Sequence, residues 1–236
     1  MSRIVLVIGS APNAVDAAAW DRRLFTDIVA INNAWRVRPD WDHLIFPDDF
    51  PRDRWPTEPL PHQAVVRASA YVPIQNQFGG FVYAGGTMAY TAGYWALGAL
   101  KPRVMAFFGC DMVYSTNAQT HFYGKGAPDP LREDISLRSL EAKSARLLLL
   151  AAQRGCACVN LSQNPSRLVF PRATLDDVAE AKPVAGFDAS QALQEEARLS
   201  YYVPSGKYWK EEERFDPAAI DALDALWLSA YEQARE

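Results

Sequence analysis

The chain has 236 residues, 49% hydrophobic and 22% charged. This length and composition suit one large globular domain, or a domain with an extension, and exclude the collagen-like, disulfide-scaffold and wholly disordered classes. With 24 Lys and Arg against 28 Asp and Glu, the net charge is −4, which argues against a surface built to neutralise a nucleic-acid backbone. No apolar run approaches the roughly 18 residues of a spanning helix. The apolar N-terminal stretch stops at Gly9 with no cleavage pattern behind it, so the expectation is a cytoplasmic protein with no membrane span.

The run Ile4–Ile8 is β-branched and uninterrupted, as in a strand buried on both faces of a parallel sheet. Gly9 ends it, and an alanine-rich stretch over Val15–Leu24 predicts a short helix. Asp27–Ile31 closes a β-α-β unit and Leu44–Phe46 reads as a third strand. Residues 47–62, rich in Pro, Asp and Arg, suit a surface loop, and Val65–Pro73 is expected to hold a further short strand. After Gly85-Gly86, Thr87–Leu100 predicts a helix that small residues allow close to the sheet. Arg103–Phe108 is the strongest strand. Residues 112–135 form a long loop, a kind of segment that in compact domains is usually functional. Leu137–Arg154 predicts a helix stopped at Gly155, and Cys156–Leu161 a strand whose C-x-C sends Cys156 and Cys158 to one face. With Cys110 these make three cysteines and no secretory signal, so they are expected buried and reduced. Beyond residue 173 two acidic helical stretches, Ser190–Ser200 and Pro217–Glu236, flank an aromatic turn, Tyr201–Trp209, a candidate contact for a homo-oligomer.

The pattern predicts a Rossmann-like, doubly wound, mostly parallel α/β domain over residues 1–172, with a helical C-terminal extension, 173–236, packed on it. In such folds ligands bind at the carboxyl ends of the strands, and the chain carries a polar signal at each. The turn Gly9-Ser10-Ala11-Pro12-Asn13 can present amides to a phosphate, or be a plain tight turn, since it is neither a full dinucleotide fingerprint nor a P-loop. Asn32-Asn33 can hydrogen-bond a base or ribose, or simply form a turn. Gly86-Thr87 opens a helix and offers a second backbone site. Gly109-Cys110-Asp111 ends the strongest strand and aims a carboxylate at the same crevice. On the following loop, Tyr114, His121 and Tyr123 supply candidate catalytic groups, with His121 able to act as a general base near neutrality. Asp48-Asp49 sits among prolines and reads as a solvated loop rather than a cation site. The three histidines, His43, His62 and His121, complete no zinc spacing, and no metal or other cofactor is expected.

In their order and spacing, IVLVIGSAPN, DIVAINNAW, GGTMAYTAGYWALG, VMAFFGCDMVY, THFYG and CVNLSQNPSRL resemble glycosyltransferase family 42, the bacterial sialyltransferases, and the related pterin diphosphokinase-like Rossmann group. The resemblance covers about Ile4 to Arg172. It implies a glycosyltransferase A-type variant of the fold and a nucleotide-sugar donor, CMP-linked, used without a metal. It also implies that Gly9, Ser10 and Ala11 lie under the donor phosphate, with serine where the family has asparagine. Asn32, Asn33, Gly86, Thr87, Gly109, Cys110 and Asp111 would contact the donor. Tyr114 matches the tyrosine after that stretch, and His121 falls on the family's general base. The segment between Tyr114 and His121 is shorter than the family's lid, and Tyr83 stands near a family arginine, so the sugar is unassigned. The acceptor could be a glycan, a small molecule or a modified base. Two other readings remain: a Mg²⁺-dependent diphosphokinase-like transferase, with Asp48, Asp49 or Asp111 as ligands, and a catalytically silent nucleotide-binding module.

Overall fold

A computed structural model describes residues 3–114, 119–124 and 132–235. Six strands form one sheet: β1 (Ile4–Ile8), β2 (Asp27–Ile31), β3 (His43–Ile45), β4 (Ala64–Val66), β5 (Val104–Phe108) and β6 (Ala157–Asn160). Their order is β4-β3-β2-β1-β5-β6 and every pairing is parallel. This is a Rossmann-like α/β fold with C-terminal helices. β1 is central, with Leu6 in register with Ile28 of β2 and with Ala106 of β5. All five of its residues are buried, as a strand covered on both faces requires.

The two faces are covered differently. On one, Val5, Val7, Val29, Met105, Phe107 and Cys158 pack against α1 (Ala68–Asn76), α3 (Met88–Trp95) and α4 (Leu140–Gln153). On the other, Leu6, Ile8, Ile28, Ala106, Phe108 and Val159 meet irregular and 3₁₀ segments that bring Ala14, Ala17, Phe25, Trp41 and Val178. The helix expected over Val15–Leu24 is instead two 3₁₀ pieces, Pro12–Ala19 and Arg22–Leu24. Side chains three apart line up in a 3₁₀ turn, so Ala14 and Ala17 form one small-residue stripe and both are buried. The strand expected over Val65–Pro73 is confined to β4. The β-branched run ends at Val66, and Ala68 opens α1, whose buried Tyr71 and Gln75 are four apart with Pro73 on the exposed side. Thr87 caps α3, which continues into a π-helical turn, Ala96–Leu100. α4 ends as expected, with Gly155 and Cys156 donating to Ala152 O and Ala151 O.

A third layer, α5 (Ser190–Leu199) and α6 (Pro217–Gln233), lies outside α4 and α2 (Phe81–Ala84). Trp227, Leu223 and Ile220 are buried there against Leu149 and Val82. The aromatic turn mostly faces inward: Tyr208 is buried and Tyr201 stacks on Tyr83, leaving Tyr202 and Trp209 exposed. At the centre, Arg146 of α4 is 2% exposed and Glu196 of α5 8%. Arg146 donates Nε to Glu196 Oε1 (2.6 Å) and Nη2 to Oε2 (2.7 Å), with further bonds to Tyr94 Oη and Phe78 O. Trp227 Nε1 donates to Glu196 Oε1 at 2.8 Å. Such a pair holds only because its remaining donors and acceptors are met. Tyr83 joins the same layer, donating its hydroxyl to Glu196 O (2.8 Å), which places it away from any carboxylate at the strand ends.

Glu196→Ala would leave the Arg146 guanidinium buried without its counter-charge. The expected loss is about 3–5 kcal/mol of unfolding free energy in urea, with Arg146→Met added to Glu196→Ala regaining part of it. A single-variant loss under about 1 kcal/mol would show that the pair does not hold the third layer.

Candidate functional site

The strand order turns back between β1 and β5, and the crevice of an open α/β sheet lies outside the carboxyl ends at that point. There the two chains run together beyond the sheet: Gly9 N–H donates to Phe108 O (2.8 Å) and Ala11 N–H to Gly109 O (2.9 Å). A Cβ on Gly9 would sit 2.2 Å from Gly109 O, and Gly109 has φ +67° with Ala14 packed over it; neither position accepts another residue without strain. Two of the amides expected to face a phosphate are therefore taken up by β5. The N–H of Ser10 has no acceptor among the described residues, and its hydroxyl stands beside it.

At the end of β2, Asn32 adopts φ 52°, a left-handed conformation that asparagine tolerates, and opens the 3₁₀ turn Asn32–Arg36. Asn33 is 2% exposed. At the end of β5, Asp111 is 4% exposed and accepts from Asn160 Nδ2 at 3.2 Å. Asn160 also donates to Ser166 Oγ (3.0 Å) and accepts from Ser162 N (2.9 Å), while Asn13 Nδ2 donates to Ser162 Oγ (3.1 Å). Four buried oxygens along this edge have no partner among the described residues: Asn13 Oδ1, Asn32 Oδ1, Asn33 Oδ1 and Asp111 Oδ2. An unmet buried acceptor costs about 1–3 kcal/mol, so four along one edge call for donors from a ligand or from ordered water. Asn33 and Asp111 do not converge on one atom. β1 stands between their strands, which puts them about 10 Å apart across the sheet.

Cys110 is buried with its Sγ 3.6 Å from Phe108 O, and burial first, then the neighbouring Asp111 charge, pushes its thiol pKa far up. It is a protonated wall behind Gly9 and not a nucleophile. Thr87 is likewise buried, its hydroxyl accepting from Tyr90 N–H as the α3 cap. Gly86 N–H donates to Ser136 Oγ (3.0 Å), and Gly86 O accepts from Arg132 (3.3 Å). Ser136 and Arg132 in turn meet Tyr208 Oη, which donates to Asp134 Oδ2 (2.8 Å), and burial raises the Tyr208 pKa to about 12. The Gly86-Thr87 turn is thus held by the protein itself. A concavity of about 640 Å³, lined in part by Arg132, Asp134 and Phe215, opens beside this cluster.

After β5, Tyr114 packs on the α-helical face of the sheet and Phe122 on the other face. Phe122 N–H donates to Ser10 O (3.0 Å), and His121 and Gly124 exchange two backbone bonds. This fastens His121 above the first turn. Its ring stacks on Tyr123 at 5.0 Å and lies 6.2 Å from Tyr114, and Nδ1 is 2.9 Å from Thr120 Oγ. With Nδ1–H donated to that hydroxyl, Nε2 carries the lone pair that a base requires. Burial holds the imidazole pKa below its ordinary value of 6.5.

The structure therefore gathers Ser10, Tyr114, His121 and Tyr123, and sets Asn32 and Asn33 on one flank and Asp111 on the other. Sequence reasoning did not single out Asn160, Ser162, Asp134, Ser136 or Tyr208. The first two lie in CVNLSQNPSRL, where an asparagine ending a buried strand was the available signal. Asp48 is ion-paired with Arg67 at 3.0 Å. Among the described residues no group of three or more His, Cys, Asp or Glu is placed to hold a metal ion, and no helix is long and apolar enough to cross a membrane. No protein-family model, curated protein or solved structure matches the chain.

Because burial lowers the His121 pKa, its ring proton resonances should titrate with a midpoint below 6.5, leaving the neutral base in the majority at pH 7. A midpoint at or above 6.5 by NMR contradicts the half-buried setting described.

Proposed function

We propose that this chain is a metal-independent glycosyltransferase that moves a sugar from a nucleotide donor, CMP-linked, to an acceptor hydroxyl. The observation that carries the reading is the set of four oxygens at the carboxyl edge without partners among the described residues, beside Ser10, to which Phe122, the neighbour of His121, is bonded. A nucleoside offers the donors such a set lacks. Its ribose hydroxyls and exocyclic amine can give to Asn32, Asn33 and Asp111, and a carboxamide can turn over to meet an acceptor instead. Ser10 N–H and Oγ are the groups for the donor phosphate. The order of motifs that resembles glycosyltransferase family 42 supports the same assignment.

In this reading His121 Nε2 takes the proton from the acceptor hydroxyl as its oxygen attacks the anomeric carbon. The bond from that carbon to the phosphate oxygen breaks, and CMP leaves with the electron pair. Attack opposite the leaving group inverts the anomeric configuration. Tyr114 and Tyr123 flank the base, and their aromatic faces suit the acceptor.

His121→Ala should abolish sugar transfer and donor hydrolysis, a fall of about 10²–10⁴-fold for loss of a general base, while CMP affinity stays within a few-fold. Chromatography of the released CMP reads the first and calorimetry the second. Undiminished turnover in the variant removes His121 from the mechanism, and Mg²⁺-dependent transfer from ATP would replace this reading with a diphosphokinase-like one.

A further inference from the structure

At the other end of α4 the third layer leaves a groove unconnected with the strand ends. Two adjoining concavities, of about 600 and 410 Å³, share Gln77 and Arg154, a volume in the range of small-molecule sites. α4 has 14 residues and is about 21 Å long end to end; the groove is at its last turn and the candidate cleft at its first.

The charges in this groove are lopsided. Its acidic group, Glu196, is consumed by Arg146 and Trp227, so the floor is neutral. Arg154 and Lys101 stand over it, with no ion pair and no side-chain hydrogen bond among the described residues. They are not needed to cap helix carbonyls, because Ala151 O, Ala152 O and Ala96 O already accept main-chain N–H groups. The Arg154 guanidinium carbon sits over the Phe78 ring, 3.9 Å from its centroid, a cation–π contact that holds the charged group at the mouth of the groove. The side-chain amides of Gln77 and Gln153 flank it with no hydrogen-bond partner among the described residues. An apolar part of the wall is formed by Phe78, Leu150 and the exposed Leu193 and Tyr202.

We propose that this groove binds a small organic anion with an apolar or aromatic body. The anionic head lies on Arg154, with Lys101 beyond it, and the body rests against Phe78, Leu150, Leu193 and Tyr202. A carboxylate and a phosphate monoester share the required head chemistry, since a guanidinium edge receives either in a two-pronged fashion. The site is independent of the transfer reaction proposed above.

The test is an amide NMR titration of the full chain with four ligands that share one benzyl or phenyl body: benzoate, benzyl phosphate, benzyl alcohol and benzylammonium. Saturable shifts of the Gly79, Gly80, Ala197 and Ser200 amides are expected with at least one anion. The neutral and cationic compounds should bind at least ten-fold more weakly, and the tighter anion identifies the head group. Arg154→Gln should weaken the anion ten-fold or more with an unchanged unfolding curve. Leu193→Ser should weaken it without altering the charge. No saturable shift with either anion, equal binding of benzyl alcohol or benzylammonium, or unchanged affinity in Arg154→Gln each overturns the proposal.

Discussion

Main chain against main chain at Gly9 and Gly109 is the contact on which the rest of the carboxyl edge depends. Because neither residue has a side chain, β1 and β5 keep hydrogen-bonding past the end of the sheet, through Gly9 N–H and Ala11 N–H. Ala14 can then close over Gly109, which draws the 3₁₀ segment across the top of β5 and lets Asn13 reach Ser162 beyond it. Phe122 donates its N–H to Ser10 O on this turn, with His121 beside it. A methyl group at either glycine would part the two turns and move every polar group that follows them.

A second constraint comes from the far side of the molecule. The α-helical face is itself covered by α5 and α6, and the junction encloses two ion pairs, Arg146 with Glu196, whose carboxylate oxygens are both hydrogen-bonded, and Lys143 with Asp224 Oδ1 at 2.7 Å. The same segment sends Tyr208 to the Asp134–Ser136–Arg132 cluster that fixes Gly86. The C-terminal residues therefore do more than lie on the domain. They set the position of the turn between α2 and α3 that carries Gly86 and Thr87.

Strands were the most legible feature of the sequence, and the reason is physical. Ile4–Ile8 and Asp27–Ile31 are short, apolar and bounded, and the structure gives them those limits. The alanine-rich stretch after Asn13 misled because composition reports helix propensity, whereas the close approach of Ala14 to Gly109 decides the winding. The start of α1 was hidden by Pro73, which a helix tolerates here on its exposed side. At the edge, Asn33 and Asp111 were legible as polar residues ending apolar strands. What could not be read was which of their neighbours would be spent on the protein itself. Gly86 is engaged by Ser136, 50 positions on, and Tyr208 meets Ser136 across 72; no local pattern encodes either. The place of Phe122 against Ser10 was equally invisible, so His121 read as a loop residue with no fixed position.

The cleft reading rests on acceptors that the fold buries and leaves unmet along one edge of the sheet. Calorimetric titration of CMP in the absence of divalent ions tests it most directly. The account predicts saturable binding, weakened about ten-fold or more in Asn33→Ala, where one buried acceptor for the ligand is removed. Absence of heat from CMP, and equally from CDP, UDP, GDP and ATP, would contradict it.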